Sequence, residues 1–200
     1  LISGRSIQEL DTLFKPCVFP AAGQHGFERR DAFGKFTRPN VDRDLLAFAR
    51  LALAQLQERQ RGLLFEDKGV ALAMHYRLAP HSESRVREVM RELYESLKDR
   101  YELREGKCVL ELAPKGYSKG LAIEAFMSEA PFAKRTPVFI GDDATDEDGF
   151  EAVNTLGGYS IRVGDIRTTA AQFCLDSVKA VIAWLSECNS EHGSADLQQH

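Results

Sequence analysis

The chain has 200 residues, 44% of them hydrophobic and 28% charged, which is the composition of a folded water-soluble protein with one large domain or two small ones. A net charge of −4 argues against a nucleic-acid partner, and no apolar stretch or leader pattern points to a membrane. Four cysteines without CxxC spacing suggest neither a zinc site nor a disulfide framework, so a cytoplasmic location is expected.

The chain opens on Leu1-Ile2, two apolar residues that read as the end of a strand. Ser3-Gly4-Arg5 then turns into a helix, with Ser6 and Glu9 spaced as a capping box and Ile7, Leu10 and Phe14 on one face. Pro16 to Pro20 reads as a short apolar strand, followed by the glycine-rich loop Gly23-Gln24-His25-Gly26. From about Arg29 the texture changes. Asn40 is expected to cap a helix carrying Leu45, Phe48, Ala52 and Leu56, ended by Gly62. Two hairpins follow, one around Asp67-Lys68-Gly69 and one about Gly106, separated by a helix from Ser82 with Val86, Val89, Met90, Leu93 and Leu97 in a stripe. In the first hairpin Val70, Leu72, Met74 and Tyr76 alternate with Ala71, Ala73, His75 and Arg77, so the second face is left for solvent or for a ligand.

After Pro114 the pattern becomes alternately helical and extended. Ser118-Lys119-Gly120 opens a helix, an apolar strand runs into Gly141-Asp142-Asp143-Ala144-Thr145-Asp146-Glu147-Asp148, Tyr159 to Val163 is a strand, and Asp176 is placed to cap a last helix. The organisation expected is therefore an α/β core, residues 1–29 and 116–188, interrupted by an α+β insert over 30–115 and followed by a disordered tail over 189–200.

Five acids fall within seven positions after Gly141. Carboxylates this dense repel one another unless a cation compensates, and hard oxygen ligands at a strand's carboxyl end suit Mg²⁺. Thr145 offers a helix cap with Asp148 at its third position. Ser3, Lys119, Asp142 and Asp146 all lie at strand ends or helix starts. A hydroxyl, an ammonium and a carboxylate-held metal are what the oxygens of a transferring phosphoryl group need, and no G-x-S-x-G elbow argues for acyl transfer.

The series S-G-R, G-Q-H-G, E-D-K, H-Y-R, K-G and G-D-D-A-T-D-E-D resembles the trehalose-6-phosphate phosphatases of the haloacid dehalogenase superfamily, over the chain up to about Leu185. The resemblance implies a Rossmann-like core with a mobile cap, Mg²⁺ as cofactor and a small sugar phosphate as substrate. It implies that Ser3 binds the phosphoryl group, that Lys119 steadies the nucleophile and its phosphorylated form, and that Asp142, Asp143 and Asp146 form the metal site. It further implies that Glu66, Lys68, Lys107 and Glu111 hold sugar hydroxyls and that His25 faces the cap, with a synthase domain as a possible partner. The family's D-x-D-G-T segment, which carries the nucleophile, would precede the S-G-R strand. The stretch given is thus expected to lack its first strand, to be inactive alone and to expose a strand edge. A phosphatase for sucrose phosphate or mannosylphosphoglycerate, or a non-catalytic sugar-phosphate-binding module, are the alternatives.

Overall fold

A computed structural model describes residues 1–40, 43–164, 168–189 and 198–199. The chain divides into two compact units: residues 1–7, 11–36 and 118–200 form the first, and residues 8–10 and 37–117 the second.

In the first unit, helix α1 (Ile7–Leu13) is followed by β1 (Ala21–Gly23), β2 (Glu28–Arg30) and β3 (Phe36–Thr37), which pair in that order, β1 antiparallel to β2. The expected strand at Pro16 to Pro20 lies instead at Ala21–Gly23. The apolar residues Val18 and Phe19 are exposed, while Ala21 and Ala22 are fully buried, so small side chains rather than large ones fill the packed position. Leu1 and Ile2 run alongside β1: Ile2 bridges Ala22 in parallel, the Ala22 N–H donates to the Leu1 carbonyl at 2.8 Å, and the Ser3 N–H donates to the Ala22 carbonyl at 2.9 Å.

The second sheet of this unit has the order β11-β10-β9-β8. It is built from β8 (Val138–Gly141), β9 (Tyr159–Val163), β10 (Phe173–Leu175) and β11 (Gln198–Gln199), the first three parallel and the last antiparallel. Helix α5 (Glu147–Thr155) connects β8 to β9, the crossover that parallel neighbours require. Helix α6 (Val178–Asn189) is capped by Ser177, whose hydroxyl accepts from the Ala180 N–H at 3.3 Å; Asp176, the expected cap, falls one position short. Most of the tail expected to be disordered, 190–197 and 200, lies outside the described residues.

Helix α4 (Lys119–Met127) opens where the sequence places it, and Ser118 is its N-cap, the hydroxyl accepting from the Leu121 N–H at 3.2 Å. It meets α5 at Gly120, where a Cβ would come within 2.5 Å of the Asp148 carbonyl oxygen. Gly120→Ala gains at most ~1 kcal/mol of helix propensity. Forcing two backbones apart costs ~1–3 kcal/mol by overpacking, so the substitution is expected to lower stability, read as an earlier urea midpoint.

The second unit is a two-layer α+β arrangement. A 3₁₀ turn, Arg43–Leu46, leads into α2 (Ala47–Arg59); Asn40, the expected cap, stands well before it, and Val41 and Asp42 lie outside the described residues. Strands β4 (Leu64–Asp67), β5 (Leu72–His75), β6 (Tyr101–Gly106) and β7 (Val109–Pro114) form an antiparallel sheet of order β4-β5-β7-β6, both hairpins falling where the turn residues place them. Helix α3 (Glu83–Leu97) carries Val86, Val89, Met90, Leu93 and Leu97 into one core with Leu53 and Leu56 of α2 and Leu72, Met74, Tyr76 and Leu112 of the sheet. Arg87 on α3 ion-pairs with Glu83 and Glu105, and its hydrogen bond holds the Glu105 carboxyl below the usual range.

Candidate active site

Ser3-Gly4-Arg5 and the glycine-rich loop are zipped together by backbone bonds. The Gln24 N–H donates to the Arg5 carbonyl at 2.9 Å and the His25 N–H to the Ser3 carbonyl at 3.0 Å. This folds His25 back so that its imidazole packs directly over Gly4. Both Gln24 (φ 49°) and His25 (φ 56°) are held in the left-handed region, a conformation costing ~1–3 kcal/mol for non-glycine residues that persists where surroundings over-determine it. The buried Glu28 carboxylate accepts from the Ile7 N–H at 2.5 Å and so ties the start of α1 to β2. Ser3 is thereby presented at a strand end, its hydroxyl accepting from the Arg5 N–H at 3.2 Å.

The centre of the site is a buried ion pair. Lys119 Nζ, at the first turn of α4, donates to Asp146 Oδ1 at 2.6 Å, with only 8% and 7% of the two side chains exposed. The other oxygen, Oδ2, accepts from the N–H groups of Asp142 at 3.0 Å and Asp143 at 2.9 Å. The carboxylate reaches these amides because it lies against Gly141, where a Cβ would sit 2.4 Å from Asp146 Cγ. An ammonium has three hydrogens, and among the described residues Asp146 takes one, leaving two for an anion.

The helix start differs from the expected capping. Asp143, not Thr145, is the cap: its carboxylate accepts from the Ala144 N–H at 2.7 Å and it forms a capping box with Asp146 around the 3₁₀ turn Ala144–Asp146. Thr145 lies inside that turn, its hydroxyl oxygen buried without a hydrogen-bond partner among the described residues. The helical turns thus start two residues earlier than the sequence suggests, and Asp142 and Asp143 remain exposed at the end of β8.

Of the three predicted metal ligands, Asp146 has both oxygens engaged within the protein. The Asp142 carboxylate makes no hydrogen bond among the described residues, and no group of three His, Cys, Asp or Glu residues converges there. Mg²⁺ fits this donor set, since it retains waters and takes one or two protein carboxylates together with substrate phosphate. Asp142 would hold it, with Asp143 as the second oxygen source.

Reasoning from sequence missed Arg162. Its guanidinium, 3% exposed, donates from Nη1 to the Asp143 carbonyl at 2.9 Å and from Nη2 to the Asp142 carbonyl. The signal was an arginine within the otherwise apolar or small run Tyr159 to Val163, at the strand position paired with Gly141.

On the second unit, the sheet face opposite the helix-packed core carries the predicted sugar-binding groups. Cross-strand register aligns Glu66, Ala73, Glu111 and Arg104 in one row. Lys68 pairs with Glu111 at 2.8 Å, and His75 Nε2 lies 2.9 Å from Glu66 Oε2. Lys107 stands apart from this row, exposed at the turn between β6 and β7. His75 and Arg104 join the set although neither was among the predicted site residues; Arg104 also donates to Glu102 and to the Tyr117 carbonyl.

The trehalose-phosphatase family model matches residues 1–179. The trehalose-6-phosphate phosphatase of Escherichia coli K12 is 46% identical over 189 residues, covering 92% of this chain and 69% of that protein. A probable trehalose-phosphate phosphatase of Sinorhizobium fredii is 43% identical over 82% of this chain and 62% of its own length. Among solved structures, the trehalose-6-phosphate phosphatase C-terminal domain of Candida albicans shares the fold with a TM-score of 0.77 at 24% identity, covering 92% of this chain and 75% of that one. A trehalose-6-phosphate phosphatase related protein gives 0.71 at 26% identity, over 87% and 72%. The match runs from the Ser3 turn through the Lys119–Asp146 pair and the acidic loop, and the chain belongs to the trehalose-phosphatase family.

Proposed function

We propose that this chain is the larger part of an Mg²⁺-dependent phosphatase that releases phosphate from trehalose 6-phosphate. The observation that carries the reading is the buried Lys119–Asp146 pair, which offers two ammonium hydrogens to phosphoryl oxygens beside an unengaged Asp142 carboxylate. Such fixed charge at the end of a strand stabilises a phosphoryl transition state more than its ground state. Bound Mg²⁺ would neutralise phosphoryl charge there. Ser3 would donate its hydroxyl hydrogen to a phosphoryl oxygen, while Glu66, Glu111 and the Lys68 paired with it, together with Lys107 at the far β6–β7 turn, would bind sugar hydroxyls.

The nucleophile is proposed to be an aspartate on a segment preceding Leu1. Its oxygen attacks phosphorus, the P–O bond to the sugar breaks, the sugar oxygen takes a proton from a second carboxyl group, and water then attacks the phosphorus of the aspartyl phosphate, releasing phosphate and the free carboxylate. Supporting this is an apolar cavity of about 490 Å³ lined on one side by Leu1 and Ile2 and on the other by Val138, Phe139 and Ile140 of β8. Among the described residues β8 is the last strand of its sheet, so the cavity borders an edge of the kind an apolar parallel strand fills.

Phosphate release should be measured for the chain alone and for the chain extended upstream, with trehalose 6-phosphate, sucrose 6-phosphate and mannosylphosphoglycerate, with and without chelator. Turnover of trehalose 6-phosphate by the extended protein, abolished by chelator, is the expected result. Preference for another sugar would reassign the substrate, and hydrolysis by the chain alone would overturn the upstream nucleophile. On the same reading Glu111→Gln should raise KM for trehalose 6-phosphate at least tenfold with little change in kcat, since it alters binding of a non-reacting part.

A further inference from the structure

The acidic loop is strapped from two sides. Asp146 receives the N–H groups of Asp142 and Asp143. The carbonyls of the same two residues are taken by one buried guanidinium, that of Arg162. Arg162 in turn is 3.4 Å from Glu147 Oε1, and Glu147 accepts from the Thr169 hydroxyl at 2.9 Å and the Ala170 N–H at 2.7 Å. A buried arginine needs such partners, and here two of them are peptide carbonyls of the loop itself.

We propose that Arg162, held by Glu147, is a positioning residue for cation binding at the loop. By occupying the backbone carbonyls it removes them as competing ligands, and by fixing both peptide units it sets the direction in which the Asp142 and Asp143 carboxylates leave the chain. Lysine cannot replace it, because a single ammonium does not reproduce the planar fork that spans two carbonyls and a carboxylate. The inference rests on the proposed use of Mg²⁺ by this site. Groups behind a metal's direct ligands commonly change its affinity by about 10- to 100-fold.

The test is the dissociation constant of the chain for Mg²⁺, by calorimetric titration, in Arg162→Met, Arg162→Lys and Glu147→Gln, beside Asn154→Ala. Asn154 donates to the Ala170 carbonyl and accepts from the Ser160 hydroxyl, so it braces the same neighbouring segment without touching the loop carbonyls. Both Arg162 variants are expected to weaken Mg²⁺ at least tenfold, Glu147→Gln less, and Asn154→Ala to lower the melting temperature with unchanged Mg²⁺ affinity. Dissociation constants in Arg162→Lys and Glu147→Gln within twofold of the parent would overturn the proposal, whether or not Arg162→Met folds. If the parent chain takes up no Mg²⁺, the metal reading fails on its own, and amide exchange at Asp142 and Asp143 then decides the strap: faster exchange in Arg162→Lys but not in Asn154→Ala supports it, and equal rates refute it.

Discussion

Lys119→Met is expected to damage stability and turnover together. The ammonium and the Asp146 carboxylate are each less than a tenth exposed and 2.6 Å apart. Removing one partner leaves a buried carboxylate without its cation, a change that commonly costs ~3–5 kcal/mol. The backbone amides of Asp142 and Asp143 still bind Asp146, which keeps the loss toward the lower end of that range. Catalysis loses the group proposed to face the phosphoryl oxygens, and one such donor is commonly worth ~10²- to 10³-fold in kcat. Urea unfolding and phosphate release by the upstream-extended protein check the two halves. Lys119→Met combined with Asp146→Asn should cost less stability than the two single changes summed, because no unpaired buried charge remains.

Asp142→Asn should separate the two effects. Its side chain is exposed and makes no hydrogen bond among the described residues, so the folded state should change by no more than ~0.5 kcal/mol. Turnover should nonetheless fall by ~10³-fold, the equivalent of ~4 kcal/mol of lost charge stabilisation at the proposed metal ligand. A variant that unfolds like the parent while losing activity and Mg²⁺ affinity is the expected pattern. Loss of both stability and activity would place Asp142 with Asp146 as a loop brace.

Hydrophobic periodicity made the second unit legible almost throughout. Leu72, Met74 and Tyr76 alternate into the core as expected, and the first turn falls at Gly69 (φ 81°), whereas in the second it is Cys108 (φ 61°), not Gly106, that takes the left-handed conformation. Local chemistry was less readable where tertiary packing decided it. Pro16 to Phe19 looks like a strand because it is apolar, yet the packed strand uses Ala21 and Ala22. Thr145 looks like a cap, yet Asp143 two residues earlier takes that role because Asp146 folds back over Gly141. Asp146 has the residue type of a metal ligand and the position of a brace, a distinction that depends on Lys119, 27 residues away. Arg162 was passed over for the same reason: its loop partners are backbone carbonyls, which carry no sequence signature, and only its place in an otherwise apolar or small strand marked it.

The most direct measurement is a calorimetric titration of trehalose 6-phosphate into the chain, with and without Mg²⁺, beside trehalose itself and beside the Lys119→Met variant. The expected binding requires the phosphate, strengthens with Mg²⁺ and falls at least tenfold without Lys119. Equal binding of trehalose and its phosphate, or binding indifferent to both Mg²⁺ and Lys119, would contradict it.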